Sequence, residues 1–578
     1  MTDSLMLGNE SIARGAYEAG VRFASAYPGT PSTEITEYIA KYDEIFSEWA
    51  PNEKVSVEAA LGASLAGVRA ICAMKHVGLN VAADPLFTAS YTGVNAGLLI
   101  CVADDPGMHS SQNEQDSRHY ARASKTLMLE PCDSAECLAF TRRSFELSEE
   151  FDTPVMLRLT TRVSHSRGLV TLGERSEFDR AYKKDPQKYV MMPAMAQKRH
   201  VIVEERILKL KEFAETTDLN TIEYNNRTIG VIASGMAYNY AKDALGDKVS
   251  YLKLGMIYPL PEKLIVDFCS NVDECYVLEE LDPYIEAHCK ALGLKVKGKE
   301  SFTLLGEYSA KLLRKVILNE LEPETANVSD LPGRPPVMCA GCPHRGAFYA
   351  LKQIPGLVIS GDIGCYTLGA LPPLNMIDTC VCMGASVSMA HGMNIAGGVK
   401  TVAVIGDSTF IHSGITGLID IVYNKGSSTV IILDNSITGM TGHQNNPANG
   451  LTIKGEPAKQ VDLKKLCEAI GVERVFIADP FDLKGFTELV KVETEIDEPS
   501  VIIAQRPCAL LKTVNYGANF IINKDNCKKC GMCLKIGCPA ISKADDGKPD
   551  IDPTLCVGCG YCVNLCKFNA IARGGEQL

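Results

Sequence analysis

Short apolar runs recur along the chain, each ending in a polar or glycine-bearing cluster and most followed by residues with helical spacing. The clearest pair is Thr401–Ile405 and Thr429–Leu433, and Gly414–Asn424 between them reads as a helix. Runs this short, rich in β-branched residues, are strands, and parallel neighbours need a helical crossover. A right-handed crossover puts Asp407 and Asn435 just past the carboxyl ends of two parallel strands, where open α/β sheets bind ligands. Both side chains offer hard oxygen donors, suited to a Mg²⁺ ion that holds a diphosphate, and Gly406 lets backbone approach closely.

The same alternation predicts strands over Val21–Ala26, Leu98–Val102 and Val155–Leu159. Between the first two, the loop Tyr27–Glu34 is capped by Ser/Thr and opens a helix on Ile35. Val55–Glu58 reads as a short strand leading into a small-residue helix, Ala59–Ala70, and Ser110–Arg118 as a polar loop. Residues 160–195 are a polar connector. A second α/β stretch from Arg227 to Leu321 has strands Thr228–Ala233, Val249–Leu254 and Cys275–Glu279, and Leu331–Pro336 is a linker. Beyond it, Gly361-Asp362 follows a strand, Met383-Gly384-Ala385-Ser386 opens a helix, and Val501–Ala504 is the last long strand. The fold class is α/β, with several doubly wound parallel-sheet domains and a small cysteine-rich tail.

Composition changes the picture in two ways. The 578 residues are too many for one core, and 46% hydrophobic with 22% charged residues is ordinary for soluble globular protein. With no long apolar run and no secretory signal, no membrane span is expected and the location is cytoplasmic. A net charge of −12 without a basic stripe argues against nucleic acid. The 22 cysteines, in the absence of a signal peptide, read as metal or cluster ligands rather than disulfides.

The tail carries Cys527, Cys530, Cys533 and Cys538-Pro539, then Cys556, Cys559, Cys562 and Cys566. This resembles a bacterial two-cluster ferredoxin domain, although the first run has one extra residue before its last cysteine and Cys566 lacks the usual proline. The resemblance implies two [4Fe–4S] clusters, one on Cys527, Cys530, Cys533 and Cys566, the other on Cys556, Cys559, Cys562 and Cys538. Paired structural zinc sites are the plainer alternative, made unlike this pattern by eight interleaved cysteines without histidine.

Gly406-Asp407-Ser408, followed downstream by Asp434-Asn435, is similar to the signature of thiamine-diphosphate enzymes, with departures at Ser408 and Asp434 that leave both donors in place. The resemblance implies a third Mg²⁺ ligand, the carbonyl of Ile437. It also implies an essential glutamate, matched to Glu58, whose carboxyl bonds the pyrimidine ring and favours its imino tautomer. Alone, Glu58 reads equally as a helix-start acid favoured by the macrodipole. Cys339-Ala-Gly-Cys342-Pro-His344-Arg345, Cys365 and Cys508, which read alone as buried thiols, resemble the ligands of a third [4Fe–4S] cluster beside the thiamine. The whole chain thereby resembles the 2-oxoacid:ferredoxin oxidoreductase family.

That family's order implies a pyrimidine-binding domain at 1–165, a connector and transketolase C-terminal-like domain at 166–330, a diphosphate-binding domain at 331–515 and the ferredoxin-type domain at 516–578. It implies conversion of an arylpyruvate such as indolepyruvate or phenylpyruvate, with coenzyme A, to arylacetyl-CoA and CO₂, electrons passing singly to ferredoxin. A smaller beta subunit is implied, in an α₂β₂ complex. Thr30, His76, His344, Asp362, Met383, Gly406 and Ser408 are candidates for holding the cofactor, and Lys75, Arg118 and Arg345 for the substrate. Competing readings are a branched-chain or phenylglyoxylate-like substrate, a non-catalytic electron-transfer subunit, and non-oxidative decarboxylation to an aldehyde.

Overall fold

Thr401–Gly406 and Thr429–Asp434 are neighbouring parallel strands, in register from Val402 opposite Thr429 to Gly406 opposite Leu433, with every residue buried. Continuous apolar runs of this kind belong to strands covered on both faces. They lie inside a five-stranded, all-parallel sheet ordered Val358–Gly361, Thr401–Gly406, Thr429–Asp434, Ser500–Gln505 and Arg474–Ala478. Phe348 and Phe486 cover one face; Val387, Leu418 and Cys467, from other helices, cover the opposite one. The carboxyl ends of these strands share one edge, so Asp362, Asp407, Asn435 and Cys508 are delivered to the same side of the sheet.

The helix expected from Gly414 starts earlier. Helical structure begins at Asp407, widens into a π turn over Phe410–Gly414, and continues as Ile415–Tyr423. Gly414 fits because an added Cβ would lie 2.8 Å from Ile405. Short π segments are frequent at functional sites.

This computed structural model describes residues 2–320 and 335–574, and divides into two compact units, Met1–Val328 and Ser329–Leu578. The expected linker Leu331–Pro336 lies, as far as residue 334, outside the described residues. The boundaries expected at 165/166 and 515/516 fall inside the two units. Within the second unit the tail has two small antiparallel pairs, Phe520–Ile522 with Ile571–Arg573 and Ile541–Lys543 with Pro549–Ile551. It packs on the sheet body through Phe481, whose ring stacks on Tyr561 at 4.7 Å.

The first unit holds two sheets. One has seven strands, ordered Met256–Tyr258, Leu127–Leu129, Val155–Thr160, Leu98–Asp104, Ala70–Lys75, Phe23–Ala26 and Phe46–Trp49. All neighbours are parallel except at Met256–Tyr258, an antiparallel edge strand lent by the second α/β stretch. The other sheet has five strands around Ile229–Ser234. The connector is not irregular throughout: Arg167–Leu172 pairs with the N-terminal strand Thr2–Leu7, and the helix Pro193–Ala214 follows. Among the described residues, no helix is long and apolar enough to cross a membrane.

One difference bears on chemistry. Val55–Glu58 is not a strand; the helix runs Glu53–Ala66, so Glu58 sits in its middle. Asn52 caps it by accepting the Val55 N–H at 3.0 Å, and that cap overrides the β-branched pattern of Val55 and Val57.

Candidate functional site

At the edge of the five-stranded sheet, Asp407 is 2% exposed. Its Oδ1 accepts the Ser408 N–H at 2.8 Å, while its Oδ2 is buried without a hydrogen-bond partner among the described residues. Burial, then Asp434 nearby, pushes this carboxyl up to about 8. An unanswered carboxylate oxygen is costly unless a cation takes it. One strand away, Ser436 adopts a φ of +60°, and the turn is pinned by Ser436 N–H to Asp434 Oδ1 (3.0 Å) and Ile437 N–H to Asn435 Oδ1 (3.3 Å). Asp407, Asn435 and Ile437 are all buried. Asp407, Asn435 and the Ile437 carbonyl are a hard-oxygen set that fits Mg²⁺.

The neighbours divide into those that face this loop and those spent on structure. Ser408 accepts from the Thr438 hydroxyl at 3.0 Å. Gly406 has an ordinary negative φ; its missing side chain makes room for Tyr366, whose ring would lie 2.7 Å from a Cβ. Asp362 accepts the N–H groups of Ile363, Gly384 and Ser386 at 2.8, 2.9 and 2.9 Å, which ties down the turn that follows half-buried Met383. His344 is buried, which pushes its imidazole down to about 4, and its ring meets Tyr366 edge-on.

Cys339, Cys342, Cys365 and Cys508 come together from three loops. Burial raises Cys342 to about 12, with Cys339 and Cys365 adding to it. Burial raises Cys365 to about 11, with Cys508 and Cys339 adding. Cys508 is raised by burial, then by Cys339 and Asp407. Thiols that crowd one another in this way are suited to sharing a cluster as thiolates. The Cys508 N–H donates to the Asn435 carbonyl at 3.0 Å, so the Cys508 loop is bonded to the Asn435 loop.

In the tail, the eight cysteines lie close enough to act on one another's thiols. Cys533, raised mainly by burial, responds to Cys530, Cys566 and Cys527. Cys562, raised likewise, responds first to Cys559, Cys538 and Cys556. Cys527, Cys530, Cys533 and Cys566 line one cavity together with Met532 and Phe568. Gly341, with a φ of +71°, lies where a Cβ would be 2.4 Å from Val557 and 3.5 Å from Cys559, so the Cys339–Cys342 loop abuts the second quartet.

Arg345 requires a correction. Read as a substrate residue, it is buried and donates to the carbonyls of Cys339 (3.1 Å), Ile536 (2.9 Å), Gly537 (2.6 Å) and Met338, leaving no free fork for a carboxylate. Arg118 is corrected for a different reason. Fully buried in the first unit, it holds Asp116 at 2.8 and 3.0 Å and Glu279 at 2.5 Å. Sequence alone shows the residue type, and tertiary packing decides its partner.

In the first unit, Glu58 is exposed and pairs with Lys54 one helical turn away. Its expected strand-end setting is absent. Glu53, at the start of the same helix, is 4% exposed and lies against Gly78, where a Cβ would be 2.4 Å from its Oε1. Burial pushes the Lys75 ammonium down to about 8, with Asp105 and Glu53 opposing. Lys75 donates to the Ser110 carbonyl at 2.8 Å, and the Ser110 hydroxyl donates to the Thr30 carbonyl at 3.1 Å. His76 is buried, its Nε2 against the Asn113 carbonyl and its Nδ1 without a partner among the described residues. Thr30, Glu53, Lys75 and His76 thus gather at one end of this sheet. The start of this helix at Glu53 was missed because Val55–Val57 looked like a strand; the Asn52 cap was the available signal.

A buried carboxylate edge beside a four-cysteine site, with a two-quartet tail, is matched by three families. Residues 362–504 match "Thiamine pyrophosphate enzyme, C-terminal TPP binding domain", residues 14–229 match "Pyruvate flavodoxin/ferredoxin oxidoreductase, thiamine diP-bdg", and residues 549–572 match "4Fe-4S binding domain". Together they define a thiamine-diphosphate-dependent 2-oxoacid:ferredoxin oxidoreductase carrying iron–sulfur clusters. Indolepyruvate oxidoreductase subunit IorA of Archaeoglobus fulgidus is 40% identical, covering 98% of this chain and 97% of its own. The subunit of the same name from Pyrococcus horikoshii is 38% identical, covering 99% and 97%. The chain belongs to the IorA family of indolepyruvate oxidoreductase subunits. 2-Oxoglutarate synthase subunit KorA of Methanothermobacter thermautotrophicus is 32% identical over 30% of this chain and 49% of its own. A solved 2-oxoglutarate:ferredoxin oxidoreductase from Magnetococcus marinus aligns at TM-score 0.47 and 18% identity, covering 55% of this chain and 65% of that one.

Proposed function

We propose that the chain oxidatively decarboxylates arylpyruvates, indolepyruvate and phenylpyruvate, with coenzyme A, giving arylacetyl-CoA and CO₂. The two electrons released per turnover leave singly for ferredoxin through three [4Fe–4S] clusters, and a smaller beta subunit completes an α₂β₂ complex. The carrying observation is the 3.0 Å bond from Cys508 N–H to the Asn435 carbonyl, which unites a redox loop with a metal loop in one chain. The IorA relatives' name supports the aryl substrate.

Thiamine diphosphate, when bound, supplies the electron sink for decarboxylation. Asp407, Asn435 and the Ile437 carbonyl hold the Mg²⁺ that fixes its diphosphate. The helix Glu53–Ala66 offers two carboxyls for the pyrimidine ring, Glu58, exposed beside Lys54, and Glu53, buried against Gly78. Lys75, His76 and Thr30 offer a cation and polar groups for an anionic substrate or cofactor. The quartet Cys339, Cys342, Cys365 and Cys508 takes the first cluster. Cys538, Cys556, Cys559 and Cys562, near which Gly341 lies, would hold a second cluster, supplying a one-electron carrier next to the first. The cluster of Cys527, Cys530, Cys533 and Cys566, with Cys530 exposed, is the exit.

The test is anaerobic iron and thiamine analysis of the complex, followed by ferredoxin reduction with indolepyruvate, phenylpyruvate, 2-oxoisovalerate and 2-oxoglutarate in parallel. Aryl substrates should lead. Preference for 2-oxoglutarate or 2-oxoisovalerate would overturn the substrate assignment, and iron for only two clusters would overturn the three-cluster path.

A further inference from the structure

A buried guanidinium normally meets a carboxylate, because uncompensated charge in a low-dielectric interior is expensive. Arg345 meets none among the described residues. Its donors go to four main-chain carbonyls, two on the loop that carries Cys339 and two on the turn that leads into Cys538. The ionisable groups that act on it most strongly are Cys342, Cys538, Cys339 and Cys559, all thiols. Two belong to the quartet beside Asp407 and two to the nearer tail quartet. The turn is built to take it: Gly537 has a φ of +64°, and a Cβ there would lie 3.3 Å from the Arg345 Nη1 and 2.6 Å from Pro373. Gly341, on the same loop, brings Val557 and Cys559 close from the other side.

We infer that Arg345 is a positioning residue shared by the two inner iron–sulfur clusters, joining their ligand loops and raising the reduction potential of both by its charge. This rests on the three-cluster reading above. A thiolate-ligated cluster is anionic and gains a further negative charge on reduction, so a fixed cation between two of them stabilises both reduced states. None of the four thiols acting on Arg345 belongs to the outer quartet, Cys527, Cys530, Cys533 and Cys566, so the potential of that cluster should hold. The carbonyl clamp also fixes the gap that an electron must cross.

The experiment uses the full complex prepared anaerobically, with R345Q and R345K beside the wild-type protein. Iron and thiamine content are measured first, then EPR-monitored redox titrations of all clusters. Three clusters in the wild type establish the reading on which the inference rests; two would defeat that reading instead. In R345Q, which keeps donors but loses the charge, two cluster potentials should fall and the third should hold. R345K, which keeps the charge, should leave both inner potentials near wild type while slowing ferredoxin reduction through loss of the fork. Selective loss of the two inner clusters from R345Q but not R345K also supports the inference. Unchanged potentials in a fully loaded R345Q, an equal shift of all three, or cluster loss from both variants would overturn it.

Discussion

The two units treat buried charge differently. In the first, Arg118 and Arg158 lie among carboxylates: Arg118 on Asp116 and Glu279, Arg158 on Asp104 at 2.7 Å and on Glu130. In the second, the Asp407 Oδ2 has no donor and Arg345 has no carboxylate. Both arginines carry the same fork and both invited the same reading from sequence. One is answered by carboxylates, the other by carbonyls and nearby cysteines. Carbonyl partners alone do not mark a place for a group other than protein, since buried Arg206 of the first unit also donates to carbonyls, of Asp152 and Ser90; the cysteines around Arg345 set it apart.

The sharpest break of this comparison is at Asp407. Asp407→Asn should abolish turnover and weaken Mg²⁺–thiamine diphosphate binding by more than about 100-fold, the upper range for losing even an outer-sphere partner. Cofactor-free protein should be no less stable than wild type, since the orphaned buried charge is gone. Calorimetric titration with thermal unfolding of the cofactor-free form tests both halves. Next, one of Glu53→Gln and Glu58→Gln should slow turnover by about 10²- to 10⁴-fold with thiamine still bound, as expected for loss of acid–base help. The other should retain most activity; the ranking of the two decides which carboxyl serves the ring.

Arg118→Met should leave two buried carboxylates unpaired and cost about 3–5 kcal/mol of stability. The folded remainder should keep its KM for the 2-oxoacid; a raised KM would return Arg118 to the substrate. The smallest effect concerns Glu280, whose carboxyl burial pushes up to about 7, with Glu307 and Glu130 adding and the Tyr308 N–H and Arg158 opposing. Folded protein then binds a proton that the unfolded chain has released, so this group's contribution to stability falls as pH rises from near 4.5 to 7. Glu280→Gln lacks that term, and its Tm relative to wild type should climb between pH 5 and 8. A flat difference would mean that the network already compensates the charge.

Strands such as Thr401–Gly406, Thr429–Asp434, Leu98–Asp104 and Val155–Thr160 were legible as local apolar runs, whereas Ala70–Lys75 and Arg474–Ala478 were not seen, the first standing directly after the helix expected to Ala70. Less legible was whatever depends on a distant partner. The pairing of Thr2 with Leu172 and the lending of Met256–Tyr258 to the first sheet leave no local trace. The start of the Glu53 helix was hidden by Val55 and Val57, whose β-branched pattern outweighed one asparagine cap. Asp407 and Asn435 follow their strands as expected, whereas Arg118 and Arg345 changed meaning once their partners were visible.

Gly341 carries a consequence of its own. Any L side chain there would need a disfavoured backbone and would drive a wedge between the redox tail and the body that feeds it. On the three-cluster reading proposed above, that wedge would lengthen the step between the two inner clusters, and because tunnelling decays steeply with separation it would slow the exit of electrons. The length of an electron's step is here encoded by an atom that the sequence leaves out.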